Sequence, residues 1–300
     1  MDAQHTRQGI FFALGAYFIW GIAPAYFKLL QQVAPGEIMT HRVIWSFFFM
    51  LLLVSLSRNW AKVKLILQQP KKILMLAVSA TVICANWLIF IWAVNNQHIL
   101  EASLGYFINP LLNVVVGMVF LKERFRRLQW LAVALAACGV LIQLWKFGSV
   151  PIIAIGLAVT FSAYGLIRKK IGVDAQTGML VETSWLLPVA AIYLFGIADS
   201  STSHLSQNPL TLNLLLVAAG IVTTIPLMLF TAACSRLRLS TVGFFQYLGP
   251  TLMFLLAVVF YGEQMTPDKV VTFSFIWAAL ALFILDAVWT LKRSRQPGLA

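Results

Sequence analysis

Leu100–Arg127, LEASLGYFINPLLNVVVGMVFLKERFRR, is an apolar span with a proline in its middle and a glutamate just past its end. A second version begins at Ser240: STVGFFQYLGPTLMFLLAVVFYGEQMTP. A shift of 140 residues lays Pro110 on Pro250, Leu112 on Leu252, Val119 on Val259, Phe120 on Phe260 and Glu123 on Glu263. Apolar segments resemble one another by chance, but the same shift also lays Met39 on Met179, Trp45 on Trp185, Leu76 on Leu216, Phe90 on Phe230 and Ala93 on Ala233. One register held over so much of the chain marks a duplicated half. The expected units are residues 1–147 and 148–300.

The surrounding chain has a membrane composition. It is 60% hydrophobic and 11% charged, with a mean hydropathy of +0.86, against about 25% charged in a soluble domain. At roughly 20 residues per crossing helix, 300 residues hold about ten spans. They are expected near residues 8–29, 36–57, 72–94, 100–121, 127–146, 150–169, 177–198, 210–233, 241–261 and 269–290. The run from Gly9 to Leu30 is too long for a secretory signal core and reads as the first span. The expected fold is all-α and integral to the membrane, because a span in hydrocarbon must satisfy its own backbone hydrogen bonds.

Of the 22 Lys and Arg residues, 18 fall at alternate ends of these spans, while connections such as NNQHI from Asn95 are nearly free of them. The positive-inside rule then puts both termini in the cytoplasm of an inner-membrane protein. It also accounts for the net charge of +12 without a nucleic-acid partner. Five spans per half is an odd number, so the halves enter the membrane in opposite senses as inverted repeats (5+5). Such halves can exchange conformations and present a central site to either side in turn.

Within that arrangement, AYFIWGIAPAYFK from Ala16, THRVIWSFFFM from Thr40, NWLIFIWAVN from Asn86, EASLGYFINPL from Glu101 and STVGFFQYLGPTLMFLLAV from Ser240 resemble the RarD subgroup of EamA-type transporters. This is a branch of the drug/metabolite transporter superfamily, and the resemblance covers the whole chain. It implies a secondary carrier moving a small metabolite, amino-acid-like, or an amphipathic drug, usually outward. The subgroup takes its name from an association with chloramphenicol sensitivity.

Candidate site residues are the polar and aromatic groups at membrane depth, since Asn and Gln are poor lipid-facing residues. Tyr17, Trp20, Asn86, Trp87, Tyr106, Asn109, Tyr164, Gln246 and Tyr247 are expected around a substrate cavity, as aromatic walls with a few hydrogen-bonding groups suit an amphipathic solute. Asn113, Thr223 and Thr224 lie at similar depth. Arg42 joins the cavity set, and the repeat register lays it on Glu182: a cation near one mouth and an anion near the other would suit a zwitterion, whereas the bland reading gives each a fixed partner. His41, His98, Glu101 and Glu182 are candidates for charge or proton coupling; Glu101 reads equally as a helix-terminus charge. Pro24, Pro110 and Pro250 are candidate hinges, with static curvature as the alternative.

No metal-ligand spacing, nucleophile with a base, or G-x-x-x-x-G-K-[ST] loop occurs, so the expectation is a non-enzyme with no cofactor, no metal and no nucleotide. Its partners would be a small-molecule substrate and the lipid bilayer. A passive channel or facilitator, and less favourably a membrane enzyme, are the alternatives. Monomer and homodimer are not distinguished.

Overall fold

The computed structural model describes residues 3–197, 201–261 and 267–294. Among these, every regular element is helical: α1 (Ala3–Phe27), α2 (Pro35–Leu56), α3 (Trp60–Leu67), α4 (Pro70–Asn95), α5 (Ile99–Leu121), α6 (Arg127–Phe147), α7 (Ile152–Ile171), α8 (Ala175–Ile192), α9 (Leu210–Arg236), α10 (Leu239–Gln246), α11 (Leu248–Tyr261) and α12 (Pro267–Ser294). Ten stretches are long and apolar enough to cross a membrane, from Gln4–Leu30 to Lys269–Asp286. Their edges follow the apolar runs of the sequence to within a few residues.

Two features depart from a plain ten-helix reading. Helix α3 is a short linker between the second and third spans, burying Val63 and Ile66 while Lys62 and Lys64 stay exposed. The ninth span is two helices, broken at Tyr247. Pro250 has no N–H to give the carbonyl of Gln246, so the helical ladder loses a rung there. Pro250 sits in the first turn of α11, whereas Pro110, which lacks the same N–H, lies inside an unbroken α5.

The apolar surface explains why lipid is this protein's solvent. Leu52, Phe120, Trp145 and Trp185 are all exposed, an arrangement that water would penalise. Inside, the spans interlock across the midpoint of the chain. Helix α1 packs on α9 and α11, α2 on α8 and α9, α4 on α7 and α8, and α5 on α7 and α10. Exchanging each span for its partner five places along turns this set of pairs into itself. Contacts between the halves outweigh those within them, so neither half encloses a core of its own.

Small residues make the closest crossings. A Cβ on Gly220 of α9 would lie 2.5 Å from the carbonyl carbon of Trp45 on α2, and the Ser46 hydroxyl donates to the Gly220 carbonyl at 3.1 Å. A Cβ on Gly243 of α10 would meet the Pro110 carbonyl of α5 at 2.9 Å. Helices α6 and α12 pair with each other. Ala132, Ala136, Ile276 and Ala279 fill their seam, and Arg126 closes one end by donating from Nη2 to Asp286 Oδ2 at 2.6 Å. Arg126 thus gives Asp286, a carboxylate within an apolar span, the partner its charge requires.

Candidate functional site

A cavity of about 730 Å³ lies between the spans. Its walls come from the second half of α1, the start of α2, the end of α4, the first half of α5 and the first half of α7. The middle of α9 and the region around the α10–α11 break complete it. All the paired segments lie toward the bundle end remote from the clustered Lys and Arg, and Gln31, Val33, Pro35 and Ile99 carry the cavity to that end. Among the described lining residues none belongs to α6, α8 or α12.

Arg42 is the only charged side chain among the described lining residues. The Thr223 hydroxyl donates to the Ala219 carbonyl at 2.7 Å, one turn back along α9, which leaves its oxygen to accept from Arg42 Nε at 2.7 Å. The guanidinium carbon lies 5.3 Å from the centre of the Phe27 ring and 5.0 Å from that of Trp87. Cation–π contact with both faces holds the group in place.

The amides serve two purposes. Asn86 Nδ2 donates to the Leu157 carbonyl at 2.9 Å and to Thr160 Oγ1 at 2.8 Å, tying α4 to α7. Asn109 Nδ2 donates to the Ala158 carbonyl at 2.8 Å; Asn113 Nδ2 reaches both Asn109 Oδ1 at 3.0 Å and Gln246 Oε1 at 3.1 Å. Asn86, Asn109 and Gln246 thus line the cavity while holding its walls together.

The floor is aromatic. Trp20 meets Tyr17 and Phe161, each with ring centres 5.7 Å apart, and Phe230 at 5.9 Å. Below it, Ala13, Met50, Val54, Cys234, Leu237 and Val242 belong to one buried apolar cluster. Toward the basic end, the Glu123 carboxylate accepts from the backbone N–H groups of Leu239 at 2.7 Å and Ser240 at 3.1 Å, and from the Ser240 hydroxyl. A carboxylate at the first turn of α10 is where the helix dipole favours it. Lys169 donates to the carbonyls of Cys234 and Leu237 at the opposite-signed end of α9. The bundle is therefore closed at its basic end and hollow at the other.

The structure brings Tyr17, Trp20, Arg42, Asn86, Trp87, Tyr106, Asn109 and Gln246 to the cavity wall, with Pro24 and Pro250. Tyr164 and Tyr247 are elsewhere. Tyr164 is fully buried and donates to Glu182 Oε2 at 3.3 Å, while Tyr247 is fully buried and donates to the Phe107 carbonyl at 3.3 Å. Glu182 does not face the cavity as Arg42 does: Arg168 Nη1 stands 3.5 Å from its Oε1, both side chains almost completely buried. His41 packs against Thr202 at 3.0 Å, itself bonded to Glu37. Glu101 lies 3.6 Å from His98 and accepts from the N–H of Ile153 at 2.8 Å, so it caps α7 rather than standing free. Glu263 lies outside the described residues. Phe27, Phe90, Phe161 and Met253 line the cavity without any mark in the sequence, since an apolar residue reads alike whether it faces lipid or a cavity. No three His, Cys, Asp or Glu side chains gather as a metal site among the described residues.

A profile of the EamA-like transporter family matches residues 7–145 and 149–285. Protein RarD of Escherichia coli (strain K12) is 71% identical over 296 residues, covering 99% of this chain and all of that one. A Vibrio cholerae protein described as an uncharacterized transporter is 58% identical over 96% of this chain and 95% of its own. One solved crystal structure, 18% identical, superposes with a TM-score of 0.68 over 94% of this chain and 98% of the other, a likeness of fold.

Proposed function

This chain belongs to the EamA-like transporter family, as a RarD-type membrane transporter, and from that premise we propose that it exports a small amphipathic metabolite or drug by alternating access. The observation that carries the reading is the asymmetry of the bundle: a cavity hollow toward one end, closed at the other by Glu123, Lys169 and a packed apolar cluster. By the positive-inside rule the closed end is cytoplasmic, both termini lie there, and this conformation faces outward. The packing pairs exchange with one another when the two halves are exchanged. That is the geometry an inverted five-plus-five repeat needs to swap conformations and reopen the cavity inward. Rigid aromatic walls and committed amides suit binding rather than bond-making, which favours a carrier over an enzyme.

Inside-out vesicles with wild type, Trp20→Ala or Arg42→Ala at equal expression test this. Saturable uptake of a member of a panel of organic acids, amino acids, nucleosides and chloramphenicol-like drugs is expected, reduced by either substitution. Loss of uptake when the pH gradient is collapsed at a constant membrane potential would identify the proton as the coupled ion, and uptake independent of both a facilitator. Equal uptake through both variants would move the site away from this cavity.

A further inference from the structure

Resting on the carrier reading, we propose that the cavity selects an amphipathic organic anion, its carboxylate or equivalent group paired with Arg42 and its apolar body against Trp20, Trp87 and Phe161. The first support is an imbalance of charge. Arg42 is the single charged group among the described lining residues, and no described carboxylate lies within ion-pair distance of it. A guanidinium in a largely apolar cavity is unfavourable unless an anion joins it.

The second support is orientation. Thr223 has spent its proton on Ala219, so it can only accept, and it takes Nε. Both Nη groups are left without a protein acceptor among the described residues, and together they make the fork that receives a carboxylate or sulfonate on two parallel hydrogen bonds. Phe27 and Trp87 beside the guanidinium fix the plane of that fork.

The third support favours an anion over a zwitterion. A carboxylate is the strongest partner for an amino acid's ammonium, and Glu182, the repeat-related candidate, is paired with Arg168 at 3.5 Å beneath the aromatic floor. In the outward-facing cavity an ammonium would meet Arg42 as the one charged side chain among the described lining residues, with amide oxygens and ring faces as its remaining partners.

Phenylacetate, phenylacetamide and L-phenylalanine separate the possibilities when titrated calorimetrically into the detergent-purified full chain. Phenylacetate is expected to bind at least about tenfold more tightly than the other two, as a charge-assisted pair with an otherwise unpaired cation implies. Arg42→Gln should erase that preference, and Thr223→Val, which keeps the charge but releases Nε, should weaken phenylacetate binding severalfold. The wild-type order of affinities needs no variant, so misfolding cannot hide the answer. Equal or tighter binding of phenylalanine or phenylacetamide, or a preference that survives Arg42→Gln, overturns the assignment.

Counterflow in proteoliposomes with membrane-impermeant p-toluenesulfonate and L-phenylalanine distinguishes the two levels. Saturable sulfonate counterflow lost in Arg42→Gln supports both. Phenylalanine moving while sulfonate does not keeps the carrier and sinks the anion site. Arg42-dependent phenylacetate binding with no counterflow keeps the anion site and sinks the carrier. Absence of both the binding preference and any counterflow overturns the two together.

Discussion

Arg168 and Glu182 form the most deeply buried ion pair among the described residues, with Tyr164 donating to the same carboxylate. Their geometry is loose: at 3.5 Å the Nη1 contact is ionic rather than a hydrogen bond, and the guanidinium nitrogens are otherwise unbonded. A buried pair of this kind contributes little net stability, yet removing one member leaves an uncompensated charge and costs about 3–5 kcal/mol. Arg168→Leu alone is expected to destabilise strongly in a detergent thermal-unfolding assay. Arg168→Leu with Glu182→Leu should recover most of the loss. Double-variant stability no better than the single would show that the charge pair is not what matters there. Arg42, 140 residues before Glu182, differs in having no carboxylate beside it among the described residues. Register equates the two positions, but only contacts decide that one is locked and the other open to the cavity.

The crossing of α2 and α9 carries the tightest backbone approach, at Gly220 against Trp45 and Ser46. Transmembrane helices associate through close packing of small residues, because lipid tails supply no hydrophobic drive to bring apolar surfaces together. A methyl at Gly220 must push α2 away. Gly220→Ala is therefore expected to lower stability by at least about 1–3 kcal/mol, the usual range for overpacking. Gly196→Ala, where an added Cβ meets nothing within 4 Å, should be near neutral in the same unfolding measurement. Because α9 also carries Thr223 and α2 carries Arg42, Gly220→Ala should in addition weaken the Arg42–Thr223 contact. Similar reasoning applies to the break in the ninth span. A proline was visible at both Pro110 and Pro250, but α5 stays continuous while the ninth span divides at Tyr247, a difference no local propensity distinguishes.

Over the whole molecule, the outward-facing assignment makes a labelling prediction. In a cysteine-free background, Tyr106→Cys on the cavity wall should react with an impermeant maleimide in right-side-out vesicles, and Lys64→Cys on α3 only in inside-out ones. The reverse pattern would invert the topology and the direction of the cavity. If the substrate is a monoanion, an inside-negative membrane potential pushes it outward by about 2.3 kcal/mol per 100 mV, so export needs no coupled proton.

The sequence by itself determined that this chain spans a membrane about ten times and which residue types could not face lipid. Those are consequences of composition, length and the expense of unsatisfied polar groups in hydrocarbon, and they need no knowledge of neighbours. Asn86, Asn109 and Gln246 were legible as inward-facing for that reason. What only the tertiary structure decided was how each inward group is spent: Arg42 on the cavity and Glu182 on Arg168, Trp20 on the floor and Tyr247 on a buried carbonyl. A span can face inward toward a neighbour or toward a hollow, and periodicity is the same for both. The difference is set by which spans of the other half pack beside it, and those partners lie from about fifty to nearly two hundred residues away along the chain.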